Sequence, residues 1–250
     1  MSYIMVYDTE TTSIDKPFCY NIGYVIIDII NKVVVLKRDF VCEQVWHNNM
    51  LFTTAYYSDK RQDYVKAMRG RKCLMEKFGY ICRQMAKDIK DYGIEQAYAF
   101  NSSFDERVFE FNCDWFKCIN PFDNVAVYDI RGYFHNVLDN DYITWAEDNE
   151  KFTESGNYSS TAESVYQYIS NDLDFIESHT ALDDSEIESE ILLYCLDKGC
   201  VLGTDYKAKR SIERVVPQEF VVKMNGTEVF KAPTTSAKLY KKKNLLLLKG

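Results

Sequence analysis

The chain has no long apolar segment, only three histidines and no C-x-x-C pair of cysteines. No apolar run approaches the roughly 18 residues of a membrane span, and the start MSYIMVYDTETT lacks the basic region and cleavage site of a signal peptide. We therefore expect a cytoplasmic protein without membrane contact. The eight cysteines include no C-x-x-C pair, which argues against the usual zinc and redox motifs and predicts reduced, mostly buried thiols.

The chain does contain a large apolar fraction and an uneven distribution of charge. Hydrophobic residues make up 46% of the 250 residues, enough to bury a sizeable core. Residues 1–204 carry 19 lysines and arginines against 34 acidic residues, whereas residues 205–250 carry 11 against 4. This asymmetry predicts an acidic globular domain at 1–204 and a basic C-terminal extension at 205–250. Such a tail is expected to meet a polyanion, although a tail that is only solvated has the same composition.

The spacing of apolar residues predicts an α/β fold with a mixed sheet. Short apolar runs indicate five strands, at 3–7, 21–30, 33–41, 96–100 and 125–130. Helical spacing is found at 72–91, 101–111, about 131–138, 161–169 and from about 183. Three successive strands followed by alternating helices and strands argue for a five-stranded sheet flanked by helices.

Two acidic residues at the end of the first strand form the first candidate site. In an extended strand the side chains of Asp8 and Glu10 point to the same face. Two neighbouring carboxylates repel each other unless a cation neutralises them, and Mg²⁺ prefers oxygen ligands. A strand that simply runs into a polar turn is an equally acceptable interpretation of this stretch alone.

Two further acidic stretches have an ordinary structural explanation. Asp105 falls in a first helical turn, where Ser103 and Glu106 fit a capping box, and Asp184 also lies near a predicted helix start. His179 is not explained by capping. The other histidines, His47 and His135, lack metal-ligand spacing and are expected to be surface or structural residues.

Taken together, three motifs resemble those of one enzyme family. DTETT at 8–12, NSSFD at 101–105 and HTALDD at 179–184 are similar to the motifs of DEDDh 3′–5′ exonucleases. These enzymes form part of the DnaQ-like, ribonuclease H-like superfamily, which includes the DNA polymerase III epsilon-type proofreading exonucleases. Another branch has a tyrosine four residues before the last aspartate, where this chain has Thr180, so the histidine branch is indicated. The resemblance covers roughly residues 1–200, and Ser13 replaces a glycine that is frequent in the family.

The resemblance implies a ribonuclease H-like fold and a two-metal-ion mechanism. Two Mg²⁺ or Mn²⁺ ions would be held by Asp8, Glu10, Asp105 and Asp184, and His179 would act as general base. The expected reaction releases nucleoside 5′-monophosphates from the 3′ end of a nucleic acid. DNA, in proofreading or end trimming, is the expected substrate and RNA is the alternative. A module that binds nucleic acid or a replication partner without turnover is the competing class, although the intact motifs favour an enzyme.

Contacts to the nucleic acid, expected to be a single-stranded 3′ end, are predicted beside the motifs and in the tail. The candidate residues are Thr9, Thr11, Asn101, Lys241, Lys242 and Lys243. In the extension, Asn225-Gly226 between two apolar-rich runs predicts a β-hairpin. The final segment NLLLLKG is too short to cross a membrane and is expected to dock on the body or on a DNA polymerase or replication protein.

Overall fold

The computed structural model describes residues 2–55 and 57–214, together with the backbone of 219–224 and 227–233. One mixed sheet has the strand order β4-β3-β2-β1-β5-β6. Its strands are β1 (Tyr3–Thr11), β2 (Cys19–Asp28), β3 (Val33–Cys42), β4 (Leu74–Glu76), β5 (Gln96–Ala99) and β6 (Ala126–Asp129). The first three strands are antiparallel, whereas β4 runs parallel to β3, β5 to β1 and β6 to β5.

Helices cover both faces of this sheet. They are α1 (Glu43–Trp46), α2 (Asn49–Phe52), α3 (Arg61–Arg69), α4 (Phe78–Tyr92), α5 (Ser102–Phe116), α6 (Ile130–Val137), α7 (Asn140–Asp148), α8 (Ala162–Ser170) and α9 (Ala181–Asp197). Helices α1 to α5 contribute to one hydrophobic core, and α6 to α9 contribute to the other. The α/β class and the mixed sheet flanked by helices are therefore confirmed.

The sheet has six strands, so the predicted number of five is wrong. The missed strand, β4, is three residues long and lies at the sheet edge, where it pairs only with the end of β3. Its residues fall within 72–91, where the apolar spacing of α4 predicts a helix, and α4 in fact begins at Phe78. Helix α7 was also missed, because its sequence is acidic and its apolar face is short. Asp139 caps it by accepting hydrogen bonds from two backbone N–H groups.

Strand β1 is buried on both faces, and its alternation determines where the acidic residues point. Ile4 and Val6 belong to the core formed with α6 to α9, whereas Met5 and Tyr7 belong to the opposite core. Asp8 and Glu10 continue the even-numbered series. Both carboxylates are therefore directed to the side of the sheet that α9 covers.

Helix α9 approaches the sheet very closely, and two polar residues fix its position. A Cβ atom at Gly23 would lie 2.1 Å from the backbone carbonyl carbon of Ala181, so only glycine allows this approach. The side-chain oxygen of Asn21 accepts a hydrogen bond from the Ala181 N–H at 2.8 Å, and the Ser185 hydroxyl lies 3.0 Å from the Gly23 carbonyl oxygen. The start of α9 is thus held over the strands that carry the first motif.

Residues beyond the predicted boundary at 204 also pack on the body. The Lys209 N–H donates a hydrogen bond to His135 Nδ1 at 2.8 Å, and Arg214 forms an ion pair with Glu147. In the extension, Glu219–Met224 and Thr227–Pro233 form two antiparallel strands. The predicted turn at 225–226, the lysines at 241–243 and NLLLLKG lie outside the described residues.

Two expectations from composition concern membranes and thiols. Across the described ranges, no helix has the length and apolar character needed to cross a membrane. All eight cysteines are free, and Cys118 is the most exposed of them while the others are buried.

Candidate active site

The first motif lies at the end of β1 and lines a cleft of about 440 Å³. In the ladder with β2, Asp8 is opposite Gly23 and Glu10 is opposite Asn21. Glu10 is 9% exposed, and the Tyr20 hydroxyl donates a hydrogen bond to its Oε2 at 3.4 Å. The strand therefore presents both carboxylates to one partly enclosed space.

The second motif brings Asp105 to the same cleft from the start of α5. Strand β5 is parallel to β1, so the loop that leads from β5 into α5 lies at the end of β1 that carries Asp8. Asn101 is the N-cap residue of this helix and has a left-handed backbone (φ 63°). Its N–H donates a hydrogen bond to the Asp129 carboxylate at 2.8 Å. The Thr9 hydroxyl donates to Asp105 Oδ1 at 2.6 Å, which joins the first and second motifs.

The capping box expected at this helix start does not form within the described chain. The helix begins at Ser102, two residues earlier than a Ser103 cap requires, and Asn101 occupies the N-cap position. It is the Ser102 hydroxyl, at 3.2 Å, that donates to Glu106 Oε1. Capping therefore does not account for Asp105, which is 2% exposed.

In the third motif, adjacent aspartates have different positions. Asp183 is exposed, and its Oδ2 accepts hydrogen bonds from the Ser178 and Thr180 hydroxyls, each at 2.9 Å. Asp184 is 4% exposed, and its Oδ1 is buried without a hydrogen-bond partner among the described residues. A buried carboxylate oxygen without a partner is costly, so this atom is positioned for a ligand that the protein itself does not supply.

His179 lies beside Asp184 in a strained and packed setting. The ligand atoms of Glu10, His179 and Asp184 all lie within 4.8 Å of one another. His179 has a left-handed backbone (φ 52°), which is uncommon for residues other than glycine. The Tyr57 ring stacks on the imidazole with a centroid separation of 4.1 Å and an interplanar angle of 13°. The loop thus holds the imidazole in a defined orientation next to two carboxylates.

The buried carboxyl groups influence each other strongly. Burial, followed by the charge of Glu177, raises the pKa of Asp8 to about 7. Burial, followed by the charge of Asp8, raises the pKa of Glu10 to about 9 and that of Asp184 to about 10. Asp105 has its pKa raised well above the usual range by the same two causes. Such a cluster holds either protons or a cation at neutral pH.

The donor set fits a hard divalent cation. Carboxylate oxygens are the ligands that Mg²⁺ and Mn²⁺ prefer. Of the predicted metal ligands, Glu10 and Asp184 have ligand atoms within 4.8 Å of each other and of His179, and Oδ1 of Asp184 has no partner among the described residues. Asp8 and Asp105 line the same cleft but do not belong to this close group.

Comparisons with known proteins identify the fold. No family model and no curated protein matches the sequence. Solved structures do match, and one of them is the nuclease domain of 3′hExo, a DEDDh family member, bound to rAMP. That domain is 13% identical, with a TM-score of 0.56 over 84% of this chain and 97% of its own. The chain has the fold of the DEDDh 3′ exonucleases.

Two further structures share the DEDDh fold. A 3′-exonuclease described in recognition of the histone mRNA stem-loop is 11% identical, with a TM-score of 0.57 over 94% of this chain and 92% of its own. Cell-death related nuclease 4 (CRN-4) is 14% identical, with a TM-score of 0.54 over 80% of this chain and 65% of its own. At these identities the likeness concerns the fold, and the chemistry has to be argued from the residues of this chain.

Two further acidic residues of the DEDDh-fold cleft were missed by sequence analysis. Glu188 lies one helical turn after Asp184, is 3% exposed, and accepts a hydrogen bond from the Phe100 N–H at 3.2 Å. Burial raises its pKa well above the usual range, as do the nearby charges of Asp8 and Asp105. Glu177 also lines the cleft, and burial raises its pKa to about 7. The i, i+4 spacing from Asp184 was the available signal for Glu188, because residues four apart lie on the same face of a helix.

Two of the residues predicted to contact nucleic acid line the cleft, and a third does not. Thr9 and Asn101 line the cleft, and Thr9 uses its hydroxyl to hold Asp105. Thr11 is not among the described residues that line the cleft, and its hydroxyl lies 3.3 Å from the Ser13 carbonyl oxygen. Thr9 therefore orients Asp105, a candidate metal ligand, through this hydrogen bond.

Proposed function

We propose that the protein is a metal-dependent 3′–5′ exonuclease that hydrolyses nucleic acid to nucleoside 5′-monophosphates. The observation that carries this proposal is the buried carboxyl group of Asp184, which lies near Glu10 and His179 and whose Oδ1 has no hydrogen-bond partner among the described residues. A purely structural carboxylate at this depth would have a hydrogen-bond donor. The DEDDh fold adds support, because the residues of all three motifs line one cleft.

The motif residues have two roles in the proposed mechanism. Asp8, Glu10, Asp105 and Asp184 would hold divalent cations, which would acidify a water molecule and stabilise the leaving oxygen. His179 accepts the proton of the attacking water. Burial, followed by the charge of Lys60, lowers its pKa, so the imidazole is neutral and able to accept a proton at neutral pH. The stacked Tyr57 ring keeps the imidazole plane fixed while it does so.

The proposed substrate is a single-stranded 3′ end, because a cleft of about 440 Å³ has room for little more than one terminal nucleotide and none for a duplex. DNA is the first candidate, in proofreading or end trimming with a polymerase or replication protein as partner. RNA is the second candidate, since two proteins of similar fold are described with rAMP and with an mRNA stem-loop. A module that binds nucleic acid without hydrolysis is the competing function.

The test is degradation of 5′-labelled single-stranded DNA and RNA with Mn²⁺. We expect products that shorten progressively from the 3′ end, and the faster strand identifies the preferred sugar. EDTA and the Asp184→Ala variant should each abolish shortening. The matched control is Asp183→Asn, which changes the exposed neighbour and should retain activity. Tight binding without shortening, by folded protein loaded with Mn²⁺, would favour the non-catalytic module instead.

A further inference from the structure

The cleft has a second wall that differs chemically from the carboxylate cluster. It is formed by the start of α6, the segment between α7 and α8, and residues that follow α9. Arg131, Ser160 and Arg210 line it. Arg131 and Arg210 are cations, whereas the motif carboxylates and Glu188, which line the same cleft, are acidic. The lining of the cleft therefore combines a group of acidic residues with a group of hydrogen-bond donors.

Ser160 is held so that its proton remains available. His135 Nδ1 accepts the N–H of Lys209 at 2.8 Å, and burial lowers the pKa of this imidazole to about 4. The neutral ring therefore carries its proton on Nε2, which donates to Ser160 Oγ at 3.0 Å. Arg131 Nη2 donates to the same oxygen at 3.3 Å. With two donors directed at it, the Ser160 hydroxyl has its own proton free to donate.

Arg131 also has unused donor capacity. Its Nε is buried without a hydrogen-bond partner among the described residues. Within the described residues, no acidic side chain forms an ion pair with Arg131. The charge of Arg131 acts on Asp129, where it opposes the rise in pKa that burial causes, although the two side chains form no salt bridge within the described residues. Arg131 also lines the cleft, where its guanidinium group faces the space that a ligand would fill.

We propose that Arg131 and Ser160 bind a backbone phosphate of the nucleic-acid strand in the cleft. The inference rests on the proposed function, because a strand whose 3′ end reaches the carboxylate cluster carries further phosphates along the same cleft. A guanidinium fork and a hydroxyl match the oxygens of a phosphodiester, and such contacts position a strand without reading its bases. This wall also explains how a domain with many acidic residues retains a polyanion, since phosphate contacts supply most of the affinity.

The test is a coupling measurement between Arg131 and individual phosphates. The Asp184→Asn background prevents turnover, so binding of short labelled DNA and RNA strands can be followed by fluorescence anisotropy. In each series, one phosphodiester at a time is replaced by an uncharged methylphosphonate. We expect about a tenfold loss of affinity at one linkage, because a charge-assisted contact is removed there. In Arg131→Met the unmodified strand should bind about tenfold more weakly, and the same replacement should cause no additional loss.

Matched variants separate this role from folding and from net charge. Arg69→Met removes one exposed arginine at the end of α3 and should leave the linkage pattern unchanged. Arg131→Lys keeps the charge without the planar fork and should retain part of the coupling. If Arg131→Met melts at a much lower temperature than the parent, Ser160→Ala provides the same test with a smaller expected loss.

The outcomes distinguish this inference from the proposed function. The phosphate site would be overturned if the loss of affinity from Arg131→Met and the loss from a methylphosphonate were additive at every linkage. It would also be overturned if the protein bound no strand. If the wild type shortens strands while the losses add, the exonuclease proposal stands and the phosphate site fails. If no strand is shortened but Arg131 couples to one linkage, the phosphate site stands and the exonuclease proposal fails.

Discussion

Replacing Asp184 by asparagine should stabilise the metal-free protein at alkaline pH. Asp184 is 4% exposed, and burial, followed by the charge of Asp8, raises its pKa to about 10. In the unfolded chain this carboxyl group has an ordinary pKa near 3.9. Folding at pH 8 therefore requires it to take up a proton, or to remain charged among other carboxylates. Asparagine has the same shape and needs no proton.

The size and sign of the effect follow from proton linkage. A carboxyl group whose pKa is raised by folding stabilises the folded state most below its unfolded pKa, and this advantage is lost as pH rises towards the folded pKa. About four pH units separate the unfolded pKa from pH 8, and each corresponds to about 1.4 kcal/mol, giving an upper value of about 6 kcal/mol. At pH 5 the same reasoning gives about 1 to 2 kcal/mol. The gain from Asp184→Asn should therefore increase with pH.

Thermal unfolding in EDTA at pH 5 and pH 8 measures this difference. For a domain of this size, 1 kcal/mol corresponds to about 2–4 °C, so Asp184→Asn should melt several degrees above wild type at pH 8. The matched variant Asp183→Asn weakens two exposed hydrogen bonds and removes the smallest of the charges that raise the pKa of Asp184, so it should show only a small part of this gain. Addition of Mn²⁺ should narrow the difference at pH 8, because only wild type keeps all the ligands and a ligand at about 100 times its Kd stabilises by about 3 kcal/mol. A pH-independent loss of stability in Asp184→Asn would refute the reasoning.

Three further substitutions test how the site is supported. Gly23→Ala should lower the free energy of unfolding by about 3 kcal/mol, because its Cβ would lie 2.1 Å from the backbone of α9, and chemical denaturation measures the loss. Tyr57→Leu should lower the rate of strand shortening about twofold to tenfold by removing the ring stacked on His179, whereas Tyr57→Phe should retain the rate. Thr9→Val should weaken Mn²⁺ binding about tenfold in calorimetry, because the hydroxyl that orients Asp105 is lost, while Thr9→Ser should bind normally.

The fold was predictable from the sequence where its patterns are long and local. Strands β1 and β2 are continuous apolar runs, and the helical spacing of α4 extends over four turns, so periodicity indicates them directly. Strand β4 has three residues and depends on pairing with β3, which no local pattern encodes. The capping box at Ser103 failed because Asn101 and Asp129 together fix the start of α5, and their contact joins residues distant in the chain.

The candidate site was predictable only in part for a similar reason. The motif carboxylates and His179 came from a resemblance across three separated segments, which the cleft brings together. Glu188 and Arg131 belong to no such motif, and their importance depends on burial. Glu188 is surrounded by other carboxylates in space, and the Arg131 Nε has no hydrogen-bond partner among the described residues. Both facts depend on the folded arrangement. Sequence composition places both among ordinary surface charges.

The first product released from a 3′-labelled strand decides whether the protein is a metal-dependent 3′–5′ exonuclease. With Mn²⁺, we expect wild type to release the label as a single nucleoside 5′-monophosphate from the start of the reaction. EDTA, Asp8→Asn or Asp184→Asn should each prevent this release, because each disables the cation site. Release of the label in fragments of several nucleotides, or at an equal rate in EDTA, would contradict a metal-dependent 3′–5′ exonuclease.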